Sequence, residues 1–157
     1  MRRLFLGLAL LALSTSAAFA ADGFAELPGW EIRQSEHDYA TLMQRTEDAV
    51  KASPLNVVTK ASATVGAKSL GVTIPGNAVL GVYAPDFAIR MLEASVQAGI
   101  EAPLRLYVTE SGDGTAVLSY VRATQVFAPY TDGGEALATM AAELDAILET
   151  IADNAVN

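Results

Sequence analysis

The chain has 157 residues, enough for one domain and short for two. Its 18 acidic residues against 10 basic ones give a formal charge of −8, which excludes a nucleic-acid footprint and disfavours adsorption to anionic lipid. It contains no cysteine, so disulfide and thiol chemistry are excluded, and one histidine is too few for the usual zinc site.

The chain opens with Arg2 and Arg3, continues as an apolar run from Leu4 to Leu13, and reaches Ala18-Phe19-Ala20, an A-x-A cleavage site. These features predict a secretory signal peptide over residues 1–20, cleaved after Ala20, and a periplasmic or secreted protein. The apolar run is too short to span a bilayer, so no stable membrane insertion is expected. Losing Arg2 and Arg3 would leave 8 basic residues against 18 acidic ones, a charge of −10. Residues 21–29 read as an irregular leader, and residues 30–157 as the folded domain.

Within that domain, Trp30 to Gln34 alternates as a first strand. Ser35-Glu36-His37-Asp38 has the form of a helix cap, and the apolar positions Tyr39, Leu42, Met43, Ala49 and Val50 predict a helix that ends before Pro54. Leu55 to Thr59 reads as a second strand, with Leu55, Val57 and Thr59 on one face. Ser62 to Leu70 reads as a short helix closed by Gly71. Ala78 to Ala84 is an unbroken apolar strand, and Pro85 then opens a helix expected to run to Gly99. Leu104 to Glu110 and Thr115 to Arg122 form a hairpin around Ser111-Gly112-Asp113-Gly114. Ala123 to Gly134 reads as a loop. Leu137, Met140, Ala141, Leu144, Ile147, Leu148 and Ile151 mark a last amphipathic helix of about four turns. The order predicts a single α+β domain: a largely antiparallel sheet of about five strands with helices packed on one face.

Three candidate chemistries can be weighed. His37 lies between Glu36 and Asp38, but a lone histidine in a helix cap is better read as a surface residue than as a base or ligand. A copper site joining His37 to Met43, Met91 or Met140 competes with the core positions those methionines occupy on their helical stripes. The third is the hairpin. A turn centred on Gly112-Asp113 or on Asp113-Gly114 puts Arg105, Tyr107, Thr109, Leu118, Tyr120 and Arg122 on one face. Either one puts Leu104, Leu106, Val108, Val117, Ser119 and Val121 on the other, expected to be the core face. Arg105, Tyr107, Tyr120 and Arg122 are therefore the candidate ligand-binding residues, suited to an anionic or aromatic ligand; a dimer interface is the competing use of the same face. No catalytic residue, metal ligand or cofactor is assigned, and no G-x-S-x-G, G-x-G-x-x-G or G-K-S/T motif is present.

Short motifs also give the chain a family resemblance. Leu70-Gly71-Val72-Thr73-Ile74, Val79 to Pro85, Ala102 to Glu110 and Asp113-Gly114 together resemble DUF 302, the domain of unknown function 302, over roughly Glu31 to Ala155. Two departures stand out. Ala84-Pro85 replaces the family's Asn-Pro, and Ala61-Ser62-Ala63 stands where many members carry an Asp-His pair. The resemblance implies a compact α+β domain, often exported and often dimeric, with no settled activity. The combined expectation is an exported, non-enzymatic module, a homodimer, that binds a small ligand or a protein partner. The alternative is a periplasmic enzyme using carboxylate, tyrosine and arginine chemistry without a metal.

Overall fold

The structure is a computed structural model that describes residues 27–157. The expected signal peptide, with Ala18 and Ala20, lies outside the described residues, as does most of the leader. The five strands are β1 (Trp30–Ser35), β2 (Asn56–Ala61), β3 (Asn77–Tyr83), β4 (Leu104–Glu110) and β5 (Ala116–Val121). They form one sheet in the order β1-β5-β4-β3-β2, antiparallel at every pairing. The helices are α1 (Tyr39–Lys51), α2 (Ala63–Ser69), α3 (Pro85–Ala94), α4 (Ala123–Phe127) and α5 (Gly134–Val156). The expected α+β architecture is what the chain adopts.

The core lies between one sheet face and the helices. Leu80, Leu106, Leu118 and Tyr120 of the sheet join Leu42 and Val50 of α1, Met91 of α3, and Met140, Leu144, Leu148 and Ile151 of α5 in one buried cluster. Each such aliphatic side chain contributes about 1.5–3 kcal/mol by leaving water. Met43, Met91 and Met140 are all in this cluster, so the methionines pack the core. Arg45 of α1 donates to the Ala155 and Asn154 carbonyls at 2.7 and 3.0 Å, closing the otherwise open end of α5.

Several local expectations change. Asp38, rather than Ser35, caps α1: its carboxylate accepts the Thr41 N–H at 2.8 Å, which holds its pKa below the usual carboxylate value. Ser35 instead accepts the His37 N–H at 3.0 Å. A bulge between Val57 and Thr59 separates those two residues onto opposite faces of β2. The helix after Pro85 stops at Ala94, where Ser95 turns extended, and Gln97–Glu101 continues as a 3-10 turn. Gly99 is therefore no left-handed cap; it gives room to Leu92, whose Cδ2 lies 2.9 Å from where a β-carbon would stand. The expected loop after Ala123 contains α4 and a 3-10 turn at Thr131–Gly133.

The family-like motifs serve this architecture. Glu110 of β4 accepts the Gly76 N–H at 2.6 Å through Oε2, while its own N–H donates to the Gly76 carbonyl at 2.8 Å. Gly76 must be small because the Tyr39 ring lies 2.3 Å from its would-be β-carbon. Gly81 is similarly confined, by Thr59 Oγ1 at 2.2 Å and Pro103 Cγ at 2.8 Å.

Candidate functional site

The hairpin register decides which residues share a face. Tyr107 pairs with Ser119 and Leu106 with Tyr120, so β4 and β5 are joined by three loop residues beyond Ser111 and Thr115: Gly112, Asp113 and Gly114. Gly114 has φ +87°, as a three-residue hairpin loop requires at its last position. Asp113 locks the turn by accepting the Thr115 N–H at 2.9 Å and its hydroxyl at 2.7 Å, and these bonds lower its pKa. An odd loop shifts β5 by one residue relative to either two-residue turn, and a one-residue slip exchanges the faces of a strand.

The four candidate residues are consequently divided. Tyr120 and Arg122 go to the helix side. Tyr120 is buried in the core, and loss of solvent pushes its phenol pKa up to about 12, with smaller contributions from nearby charges. Arg122 is exposed at the rim of that side and reaches Glu31 at 3.5 Å from Nε. Beside it, Arg33 lies 3.3 Å from Glu31, 3.6 Å from Asp153 and 3.8 Å from Glu149, a network that ties β1 to α5.

Arg105 and Tyr107 stay on the open face, opposite the helices. Adjacent strands build cross-rows there. One runs Ile32, Ser119, Tyr107, Val79; in the neighbouring rows, Trp30 stands opposite Val121 and Asn77 opposite Thr109. Trp30, Asn77, Val79, Arg105, Tyr107, Ser119 and Val121 line a trough of about 380 Å³, within the usual range for small-molecule sites. Tyr120 also borders it, but with its ring committed to the core only its backbone passes beneath.

Two polar groups in the trough stand out. Arg105 is exposed, and among the described arginines it alone has no ion pair or hydrogen bond; Arg33, Arg45, Arg90 and Arg122 are all engaged. Ser119 is fully buried on the trough floor, and its Oγ has no hydrogen-bond partner among the described residues. Other buried hydroxyls do have partners: Thr46 donates to the Leu42 carbonyl at 2.7 Å, and Ser95 accepts the Ala98 N–H at 3.3 Å. Asn77 Nδ2 donates to the Tyr107 hydroxyl, fixing that phenol at the trough wall.

Trp30 and Ser119 line the trough although the sequence does not mark either as a site residue. Ser119 is itself the missed signal: the pairing that put it in the core also put Leu118 in water. The other candidates carry less chemistry. His37 is half-buried with Nε2 unpartnered, and no group of three or more potential metal ligands occurs among the described residues. Glu110 spends its carboxylate on the Gly76 backbone. No described helix is long and apolar enough to cross a membrane.

The comparisons bear on the fold. The family model described as a domain of unknown function, DUF302, matches residues 31–155. A solved structure, an uncharacterized conserved DUF302 protein from Bacillus stearothermophilus, is similar with a TM-score of 0.72 at 20% identity; the match covers 82% of this chain and 98% of that one. Among curated proteins there is no match.

Proposed function

This chain belongs to the DUF302 family, and we propose that it is an exported, non-enzymatic module that binds a small anionic ligand in the open-face trough. The observation that carries this reading is the exposed Arg105 guanidinium, without an ion pair or hydrogen bond among the described residues, at a trough of about 380 Å³. Arg105 supplies two parallel N–H donors suited to a carboxylate or phosphate. Tyr107 supports the site as a wall; Tyr120 and Arg122 take no part. Export is supported by Arg2-Arg3, the Leu4–Leu13 run and Ala18-Phe19-Ala20.

A second reading of the same face is homodimer formation. Trp30, Ile32, Val79 and Tyr83 are only partly buried there, and pairing two copies would cover them. The enzymatic alternative keeps Arg105 and Tyr107 but loses Glu110 to its structural bond. A native mass spectrum of the chain from Ala21 onward, purified from the periplasm, tests the proposal. We expect a non-protein mass on the wild type that is absent from Arg105→Ala. A bare wild type, or the same mass on both, overturns the reading.

A further inference from the structure

We infer that the chain associates with a second copy of itself through two unlike surfaces, the α2 turn of one copy docking on the outer ridge of α3 in the other. The inference goes beyond the ligand reading, since neither surface includes a trough residue. Large apolar side chains stay in water at both places. On α3 and the 3-10 turn after it, Ile89, Leu92, Val96 and Ile100 are 48% to 80% exposed. On α2 and the turn that closes it, Val65, Leu70 and Val72 are 51% to 81% exposed. Large apolar side chains gathered in this way mark contact sites, whereas single ones are ordinary surface.

α2 has a further reason to need cover. None of its seven residues is buried. The Ser62 hydroxyl donates to the Asn77 carbonyl at 2.9 Å, and the Thr64 hydroxyl to the Pro75 carbonyl at 3.0 Å, so polar contacts moor the helix to the start of β3. A helix of two turns is marginal in water unless an apolar face packs against something. The Val72 N–H donates to the Ala67 carbonyl at 2.9 Å and folds the turn that carries Leu70 and Val72 back on the helix end.

Charge selects the occupant. The α3 ridge is acidic: Asp86, Ile89 and Glu93 follow one another at helical spacing along its outer face, and all three are exposed. Glu93 and Glu135 of α5 line one groove of about 520 Å³ together with Arg90. Arg90 is already taken, by a two-point bond to Glu143 at 2.7 and 2.8 Å, so Glu93 and Glu135 keep uncompensated charge. The α2 surface is the opposite. From Ala49 to Pro85 the sequence has no acidic residue. Lys60 is spent on Glu47, which leaves Lys68, one turn from Val65 and exposed, as the cation of this surface. Ridge on ridge would set Glu93 against Glu93, and α2 on α2 would set Lys68 against Lys68, so neither surface suits its own copy. Ridge on α2 brings Lys68 to the Glu93–Glu135 groove and joins the two apolar sets.

Sedimentation velocity over a concentration series of the purified chain tests this with two variants built at exposed positions. Lys68→Glu with Leu70→Ser spoils the α2 surface, and Glu93→Lys with Val96→Ser spoils the ridge. The wild type should associate weakly, as small surfaces do. Each variant alone should associate roughly 10- to 100-fold more weakly, from a reversed charge and a lost apolar contact together. An equimolar mixture should recover a one-to-one complex, because each variant keeps the surface that the other lacks. Urea midpoints of both variants should stay at the wild-type value, since all four positions are exposed. A wild type that is monomeric at every concentration overturns the inference. So does a variant that associates by itself as well as the wild type, which would place the contact on like surfaces or on the open sheet face. A mixture that stays monomeric while both midpoints are unchanged overturns it as well.

Discussion

Replacing Ser119 by alanine should stabilise the ligand-free protein. The hydroxyl is fully buried and without a partner, whereas most buried polar groups of the domain are bonded. Leaving such a group dry costs about 1–3 kcal/mol relative to water. Alanine removes the oxygen and leaves a void of about 10–15 Å³, which at about 24 cal/mol per Å³ takes back only ~0.3 kcal/mol. A net gain of about 1 kcal/mol is expected, or roughly 2–6 °C in Tm for a domain of this size. Urea unfolding followed by Trp30 emission measures it, with an unchanged slope as evidence that only stability moved. Thr46→Val is the control. Thr46 is equally buried but donates to the Leu42 carbonyl at 2.7 Å, so losing its hydroxyl should destabilise by about 1 kcal/mol. A Ser119→Ala midpoint below wild type would show that the hydroxyl is satisfied in the folded protein and would contradict this account of Ser119.

Other expectations concern the frame of the site. Gly81→Ala forces a methyl into Thr59 Oγ1 and Pro103, and should cost about 1–3 kcal/mol in urea unfolding; a neutral result would mean β2 is not seated as described. Glu110→Gln weakens the bond to the Gly76 N–H and should lower stability by about 1 kcal/mol while leaving ligand binding intact. A selective loss of binding in that variant would return Glu110 to the functional site. Tyr120 has a folded pKa of about 12 against 10.0 for a free phenol, so the folded state holds a proton that the unfolded state releases. Its contribution is complete below pH 10 and is lost as pH rises toward 12. Ultraviolet titration should show one late tyrosine that vanishes in Tyr120→Phe; a Tyr120 that ionises with the exposed phenols would place its ring outside the core.

The two long helices, α1 and α5, are legible because their apolar spacing repeats over several turns, whereas the five-residue α4 is too short to show a period. In α5 the expected stripe is Leu137, Met140, Ala141, Leu144, Ile147, Leu148 and Ile151; all are buried except Ile147, which packs partly buried against the core. The strands and their antiparallel class were equally plain from alternation and turn residues. Parity was not. Ser111-Gly112-Asp113-Gly114 contains glycine at two positions, and each two-residue reading ignores the option that Gly114 takes by closing a three-residue loop at φ +87°. That one residue carried Tyr120 and Arg122 to the helices and brought Ser119 out to the trough. The β2 bulge hid for the same reason: Asn56 to Ala61 contains no glycine or proline to mark an inserted residue, and Val58 is half-exposed in the bulge. The sequence marks Trp30 only as a strand residue, since its neighbour across the sheet, Val121, is more than 80 positions away in sequence.

The most direct test compares two arginines that a two-residue turn would place side by side. Arg105→Ala and Arg122→Ala remove the same charge from opposite faces of the same hairpin, and each is followed by native mass spectrometry of the purified chain. The account predicts that the bound mass disappears from Arg105→Ala and remains on Arg122→Ala. Retention in Arg105→Ala, or equal loss from both, would contradict it.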